Sequence, residues 1–234
     1  MNILRKYIKE ILLKENEYNW STASKKTMLL DKPGMEDSDK DNQEEYLKSM
    51  GLMESVLKPQ EILIPGPPTE TQRVSELPLI QNQYRNRRAP EQLQAALDES
   101  SSELFNAIVK SAGHPCAMGL IKDLRAGTID TIKNHKDHFG SERPAELASR
   151  IGYPFEVDYL ESAQTPSYPS GHAAQAYYTA FMLGDLYPDL SESFIDLAEV
   201  ISDSRVDRGV HFPSDISAGK QLAEVLYEMT KRHM

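Results

Sequence analysis

From residue 90 to residue 234, apolar side chains recur every three or four residues, which is the spacing of one face of an α-helix. Proline and glycine divide this stretch into segments, and each break predicts a helix boundary. The helices predicted in this way cover residues 90–109 with a break near Ser100, 115–125 with a stop at Gly127, 128–138, 144–151, 171–186, 191–205 and 213–231. No internal repeat and no pair of strands is visible. The pattern therefore predicts an all-α fold with a helical bundle as its core.

Residues 1–88 have a different pattern, which predicts a long and partly irregular N-terminal extension. Residues 1–19 are basic and amphipathic, and their apolar stripe comprises Ile3, Leu4, Tyr7, Ile8, Ile11 and Leu12. A charged run at 36–41 and a proline-rich stretch at 65–68 follow, with a short helix predicted at 44–50 and loop elsewhere. We predict two domains, the extension over 1–88 and a helical domain over 89–234. The first helix is expected to pack on the chain's own body, in a partner's groove or on a membrane surface.

Charge and composition exclude several classes of function. The formal net charge of -10 argues against a general nucleic-acid binder, because the phosphate backbone attracts basic faces. No stretch approaches the ~18 consecutive apolar residues of a transmembrane span, and the start of the chain lacks the pattern of a signal peptide. With Cys116 as its single cysteine, the chain has no internal disulfide. The sequence predicts a soluble, cytoplasmic protein.

Three clusters of polar residues lie within the predicted bundle. The first is a lysine, six residues and then Arg-Pro; the second is Pro-Ser-Gly-His; the third is Ser-Arg, five residues, His, three residues and Asp. The candidate site residues in these clusters are Lys136, Arg143, Ser170, Gly171, His172, Arg205, His211 and Asp215. Helix boundaries are predicted close to each cluster, so we expect these helix ends to converge on one pocket.

The first and third clusters supply cations that suit a phosphate ligand. Lys136, Arg143 and Arg205 would place positive charge around the equatorial oxygens of a phosphoryl group, and the two guanidinium groups can bind oxygens in pairs. Ser170 and Gly171 precede a predicted helix, so their backbone N–H groups can point at an anion. The sequence therefore predicts a phosphate-binding pocket.

With this spacing, the three clusters resemble the type 2 phosphatidic acid phosphatase superfamily, which includes bacterial non-specific acid phosphatases and vanadium haloperoxidases. The resemblance covers about residues 115–217 and implies a metal-independent phosphoric monoester hydrolase, here a soluble member. It implies that His211 attacks phosphorus and carries the phosphoryl group as a phosphohistidine. It also implies that His172 protonates the leaving oxygen and then activates water. Asp215, one helical turn after His211, can bond one ring nitrogen and leave the other free.

No metal cofactor is predicted, because the clusters have neither grouped carboxylates for magnesium nor zinc-like ligand spacing. Vanadate mimics phosphate, so it is expected as an inhibitor or, in an alternative interpretation, as the prosthetic group of a haloperoxidase. The motifs do not separate these two activities. The remaining histidines are interpreted as structural: His114, His135, His138 and His233.

A second alternative is a docking or structural protein in which the phosphatase domain is secondary. Residues 1–53 resemble leader segments on proteins of large tailed phages. The extension would then attach the enzyme to a protein assembly, in the host cytoplasm or in the virion. The expected ligand of the pocket is a small phosphorylated substrate, with nucleotides, sugar phosphates, pyrophosphate and lipid phosphates all left open.

Overall fold

The computed structural model describes residues 61–87 and 97–232. This part of the chain forms the α-helices α1 (Glu70–Asn86), α2 (Ser101–Ser111), α3 (Met118–Phe139), α4 (Pro144–Ile151), α5 (Gly171–Leu186), α6 (Ser191–Asp207) and α7 (Pro213–Lys231). Two short 3-10 turns, Glu161–Ala163 and Pro188–Leu190, lie in the connections. The described residues contain no strand, which confirms the predicted all-α fold.

Helix α5 is the centre of the bundle and packs against α3, α6 and α7. Its small buried side chains let these neighbours come close, namely Ala173, Ala174, Ala176 and Ala180. At Gly219 of α7, a Cβ atom would lie 2.6 Å from the carbonyl oxygen of Ser170. Only glycine fits at such a distance without movement of the backbone. The starts of α5 and α7 are therefore in direct main-chain contact.

Helix α3 is continuous, so the break predicted at Gly127 between helices 115–125 and 128–138 is wrong. A glycine inside a helix costs only about 1 kcal/mol relative to alanine. The residues on either side of Gly127 face the bundle, because Leu124, Thr128 and Ile132 are buried where α3 packs on α5. This packing overrides the local effect of the glycine. The helix ends at Gly140, whose φ of 53° is in the left-handed region.

Residues 70–86 form α1, so the prediction of a loop there is wrong. The Thr69 hydroxyl accepts from the Gln72 N–H at 3.4 Å, and Gln72 Oε1 accepts from the Thr69 N–H at 2.9 Å, which caps the helix. Leu77 and Ile80 are buried in a cluster with Leu147, Ala148, Val206 and Phe212. Pro78 and the low apolar content concealed this helix in the sequence. The division of the chain at residue 88 stays a prediction.

The other predicted helices are confirmed where the structure describes them. Helices 144–151, 171–186 and 213–231 have the predicted bounds, and α6 extends two residues past residue 205. The predicted break near Ser100 is present, since residues 97–99 are helical and α2 begins at Ser101. The segments 1–19, 36–41 and 44–50 lie outside the described residues. Within 61–87 and 97–232, no helix is both long and apolar enough to span a bilayer, and the cytoplasmic location stays a prediction.

Candidate active site

The residues of the three clusters lie where five helices start or end. Lys136 is in the last turn of α3, and Arg143 immediately precedes α4. Ser170 caps the start of α5, Arg205 lies in the last turn of α6, and His211 lies just before α7. All five residues are buried. The structure brings the predicted site residues together in one polar region at these helix ends.

His211 is held between a carboxylate and a guanidinium group. Its Nδ1 donates to Asp215 Oδ2 at 3.0 Å, and this oxygen also accepts from the Ser167 hydroxyl at 2.5 Å and the Phe212 N–H at 3.0 Å. On the other side of the ring, Arg143 Nη1 donates to His211 Nε2 at 3.3 Å. With the proton on Nδ1, the lone pair of the neutral ring lies on Nε2. The nitrogen that can attack an electrophile therefore faces the cations.

The surroundings of His211 favour its neutral form. Burial lowers the pKa of the imidazole well below its usual value, and nearby positive charges lower it further. Burial raises the pKa of Asp215 to about 6, although the hydrogen bonds that its carboxylate accepts oppose this change. At neutral pH the pair is thus a neutral imidazole beside a carboxylate, which is the nucleophilic state of a histidine.

Lys136 and Arg143 are fixed by main-chain carbonyl groups. Lys136 Nζ donates to two carbonyl oxygens of the segment 165–167, the longer bond being 3.4 Å. Arg143 Nε donates to a third oxygen of this segment at 2.9 Å, and Arg143 Nη1 donates to Val210 O at 2.7 Å. Burial lowers the pKa of Lys136 to about 7 and that of Arg143 to about 10. Two buried cations held by neutral oxygens favour an anionic ligand.

Arg205 differs from the other two cations, because Asp98 neutralises it. Arg205 Nη1 donates to Asp98 Oδ1, and Arg205 Nη2 donates to Ser162 Oγ at 3.1 Å. The Ser162 hydroxyl donates in turn to Asp98 Oδ1 at 3.0 Å. Arg205 Nε is buried and has no hydrogen-bond partner within the described part of the chain. An orphaned buried N–H is costly, and a phosphate oxygen would satisfy it.

Asp98 also fixes His172. Nε2 of His172 lies 3.1 Å from Asp98 Oδ1 and 3.4 Å from the Asp98 carbonyl oxygen. Burial raises the pKa of Asp98, but the hydrogen bond from His172 and the charge of Arg205 outweigh this, so the pKa lies well below its usual range. Both oxygens are then acceptors, so Nε2 carries a proton and the lone pair of neutral His172 lies on Nδ1. Burial lowers the pKa of His172, against the hydrogen bond with Asp98.

The start of α5 provides the backbone donors. Ser170 Oγ accepts from the Ala173 N–H at 3.4 Å and caps the helix. The Ser170 N–H donates to Asp215 O at 3.0 Å, so it is not available to an anion as the sequence had predicted. The N–H groups of Gly171 and His172 lie in the first helical turn and have no partner within the helix. The backbone donors of this cluster that are available to an anion therefore begin at Gly171.

Asp98, Ser162 and Ser167 complete the site and were not predicted. Asp98 lies in the predicted helix 90–109, where an acidic residue at one helical position has no distinguishing pattern. Ser162 and Ser167 lie in the segment between the first two clusters, which the sequence presents only as a connection. We find no sequence signal that would have identified these three residues, since their contacts exist only in the folded chain.

One of the remaining polar groups has a clear structural role. His135 is buried, its Nδ1 donates to Thr131 O at 2.7 Å, and its Nε2 accepts from the Leu63 N–H at 2.9 Å. The structural interpretation is confirmed for this histidine. Over residues 61–87 and 97–232, no group of three or more His, Cys, Asp or Glu side chains is arranged to hold a metal ion. Metal-free catalysis stays a prediction.

Comparison with known proteins identifies the family. The sequence pattern of the PAP2 superfamily matches residues 117–227, which include the eight predicted site residues. Residues 117–227 belong to the PAP2 superfamily. The resemblance inferred from the three clusters is therefore confirmed, and the chain retains each of them in order.

Two relatives of this chain are acid phosphatases by name. An acid phosphatase of Zymomonas mobilis is 29% identical over 109 residues, which span 47% of this chain but only 41% of the relative's length. A non-specific acid phosphatase of Providencia stuartii is 24% identical over 197 residues, or 76% of this chain and 74% of the relative. Among solved structures, a transmembrane PAP2 type phosphatidylglycerolphosphate phosphatase of Bacillus subtilis is 22% identical, with a TM-score of 0.46 over 80% of this chain and 92% of that one.

Proposed function

We propose that this chain is a phosphoric monoester hydrolase that removes phosphate from small esters through a phosphohistidine on His211. The proposal depends on the setting of His211, whose Nδ1 is bonded to Asp215 while its Nε2 faces Arg143 at 3.3 Å. A neutral imidazole whose free nitrogen faces cations is suited to attack a phosphate bound by those cations. The family match and both acid phosphatase relatives support this activity.

The phosphate of the substrate would lie between His211 and His172. Lys136, Arg143 and the unpaired Nε of Arg205 offer donors to its equatorial oxygens, and the first N–H groups of α5 offer more. The three side chains are buried and are held by neighbouring protein groups. They are therefore preorganised for the charge that develops on the phosphoryl oxygens in the transition state.

In the first step, the lone pair of His211 Nε2 forms a bond to phosphorus as the bond from phosphorus to the leaving oxygen breaks. The leaving oxygen takes the proton of His172 Nδ1, since His172 enters this step as the imidazolium ion. Asp98 stabilises that ion through its contact with Nε2. Asp215 balances the positive charge on the phosphorylated ring of His211.

In the second step, neutral His172 takes a proton from water through Nδ1. The water oxygen forms a bond to phosphorus while the bond between phosphorus and His211 Nε2 breaks, and the electron pair of that bond returns to the nitrogen. Inorganic phosphate leaves, and His172 is again the imidazolium ion. The cycle consumes one ester and one water, and it yields one alcohol and one phosphate.

The proposal is tested with a panel of p-nitrophenyl phosphate, alkyl phosphates, nucleotides, sugar phosphates, pyrophosphate and lipid phosphates, assayed with EDTA present. We expect hydrolysis to persist in EDTA, because Lys136 and Arg143 supply the positive charge and Arg205 Nε offers a further donor. Vanadate should inhibit, because it can occupy the phosphate position. Loss of activity on chelation that magnesium or zinc restores would contradict the metal-free mechanism.

The same protein preparation distinguishes the haloperoxidase alternative. Vanadate-loaded protein would be assayed for oxidation of bromide by hydrogen peroxide. We expect no such oxidation from a protein that hydrolyses phosphate esters without vanadate. Bromide oxidation in the absence of any ester hydrolysis would favour the haloperoxidase over the phosphatase.

A further inference from the structure

Arg125 is a half-buried cation of α3 that the proposed mechanism does not use. Its Nη1 donates to Ser102 Oγ at 2.7 Å, and its Nη2 donates to Gln175 Oε1 at 3.3 Å. Gln175 Nε2 donates back to the carbonyl oxygen of Arg125 at 3.3 Å. Burial lowers the pKa of Arg125, and the charge of exposed Glu103 opposes this. The partners of this guanidinium group thus fix it in place without neutralising it.

Two other arginines of this region are paired with carboxylates. Arg205 is bonded to Asp98, and Arg208 Nε donates to Asp158 Oδ2 at 3.1 Å. Arg125 forms no such ion pair within residues 61–87 and 97–232. A guanidinium group has five N–H donors, and only two bonds from this one are described. Arg125 can therefore bind an additional anion.

The contacts of Arg125 place it next to His172. Gln175 follows His172 by three residues on α5, so the two side chains lie on the same face of the helix. Ser102 follows Asp98 by four residues, just after the break at Ser100. These contacts therefore form two neighbouring rows. One row joins Asp98 to His172, and the other joins Arg125 to Ser102 and Gln175.

Electrostatic effects also connect Arg125 with His172. Burial lowers the pKa of His172, and the charges of Arg205 and Arg125 lower it further. Lys136 instead acts on His211, together with other cations of the phosphate site. Arg125 precedes Lys136 by eleven residues on α3, which is about 16 Å along the helix axis. The charge of Arg125 therefore acts on His172, the proposed general acid.

Displacement at phosphorus proceeds in line, so the leaving group departs opposite His211 and next to His172. We propose that Arg125 binds an anionic group on the leaving side of the substrate, so that the site favours diphosphates over esters with an uncharged leaving group. This inference rests on the proposed function, because it requires His211 to be the nucleophile. Ser102 and Gln175 hold the guanidinium group before the substrate arrives, which reduces the entropy lost on binding.

The direct test is Arg125→Gln, which removes the charge. The value of kcat/KM for inorganic pyrophosphate should fall about tenfold, while that for p-nitrophenyl phosphate should change by less than about twofold; tenfold corresponds to about 1.4 kcal/mol. Methylenediphosphonate provides a measure of binding alone, because its bridging carbon prevents hydrolysis. Its inhibition constant should rise by a similar factor, while that of inorganic phosphate stays the same.

Lys122→Gln is the matched control, because Lys122 is exposed and lies three residues before Arg125 on the same helix. It removes the same charge and should leave the selectivity unchanged. Arg125→Lys keeps the charge and should retain most of the preference. Circular dichroism and thermal unfolding establish that each variant folds. If Arg125→Gln does not fold, the wild-type inhibition constants decide: methylenediphosphonate should bind about tenfold tighter than phosphate, equivalent to about 1.4 kcal/mol.

Several outcomes would overturn the inference. Equal losses on pyrophosphate and p-nitrophenyl phosphate would assign Arg125 a role in folding or in setting the pKa of His172. Unchanged kinetics in Arg125→Gln, or equal wild-type inhibition by the two inhibitors, would show that no anion binds there. A wild-type protein that hydrolyses neither substrate would instead contradict the proposed function, so the two failures are distinguishable.

Discussion

Asp98 Oδ1 lies 3.1 Å from His172 Nε2 and accepts a second bond from Arg205. One carboxylate thus joins the proposed general acid to a cation of the phosphate site. The second histidine–carboxylate pair is His211 with Asp215, at 3.0 Å. The two neutral rings differ in the nitrogen that carries no proton, which is Nδ1 in His172 and Nε2 in His211. The proposed attack and the proposed proton transfer therefore use different ring atoms.

Replacement of Asp98 should weaken the general acid. In Asp98→Asn the amide oxygen can still accept a bond, but the charge that stabilises the His172 imidazolium ion is lost. We expect kcat for alkyl phosphates to fall about 10- to 100-fold, with a smaller loss on p-nitrophenyl phosphate. Asp98 raises the pKa of His172, so the decline of kcat at high pH should move to lower pH.

The matched control for Asp98→Asn is Asp158→Asn. Asp158 is also paired with an arginine, Arg208, but it has no contact with either site histidine in the described part of the chain. Its pH profile should match that of the wild type. A profile for Asp98→Asn that merely scales down, with no shift, would assign Asp98 to the fold and not to the acid.

The two histidines should fail in different ways. His211→Ala should abolish both turnover and covalent labelling by a 32P-labelled substrate, measured after an alkaline quench that preserves phosphohistidine. His172→Ala should lose about 100-fold or more on alkyl phosphates. It should lose much less on p-nitrophenyl phosphate, whose leaving group needs little protonation. Equal losses of His172→Ala on both substrates would argue against its role as the acid.

The charge of Lys136 should make anion binding depend on pH. Burial lowers its pKa to about 7, so the ammonium group loses its proton as the pH rises through that value. Inhibition by sulfate, whose charge is constant, should therefore weaken between pH 6 and 9 by up to about tenfold per unit. Lys136→Arg should flatten this dependence, because arginine stays charged. Lys133→Arg, exposed on the same helix, should not.

Removal of residues 1–41 should leave catalysis intact, because no residue of the three clusters lies there. The measurement is kcat/KM for p-nitrophenyl phosphate, with circular dichroism to show that the truncated chain is folded. A folded but inactive truncated protein would show that this segment contributes to the site. The same protein also tests docking, since binding to a membrane or an assembly through the basic helix would be lost.

Helix α1 should contribute to the stability of the whole domain. Leu77 is buried with Phe212, which is the residue after His211. Leu77→Ala should lower the free energy of unfolding by about 2–4 kcal/mol. Leu79→Ala is the matched control on the same helix, because Leu79 is 50% exposed, and it should cost less than about 1 kcal/mol. Similar losses in denaturant unfolding for the two variants would contradict the observed packing of α1.

The convergence of the three clusters was predictable because each cluster is local in the sequence. Pro144 and Gly152 mark both ends of α4, and Ser170 with Gly171 marks the start of α5, so the helix ends near the site followed from capping rules. Asp98 is different, because its bond to Arg205 joins residues 107 positions apart. Spacing along the chain has no information about such a contact.

The two errors in the helices have the same origin. Local rules place a break at Gly127, and they place a loop at residues 70–86 because periodic apolar side chains are few there. Both helices persist because their neighbouring side chains are buried by distant elements: Leu124 faces α5, and Leu77 faces the cluster with Phe212. The sequence alone indicates the free-energy cost of an unfavourable residue inside a helix, but not the distant contact that compensates for it.

The main-chain contact between Gly219 and Ser170 sets the distance between helices α5 and α7 near the site. Helix α5 carries His172, and α7 follows directly after His211, so the separation of these helices fixes the separation of the two histidines. The Ser170 N–H bonded to Asp215 O, at 3.0 Å, is a second main-chain link of the same kind. In the proposed mechanism the phosphoryl group is bound between these histidines, so backbone atoms fix the length of the space that holds it. Substitutions of side chains around the site can therefore change which substrates it admits while the distance between the two histidines stays the same.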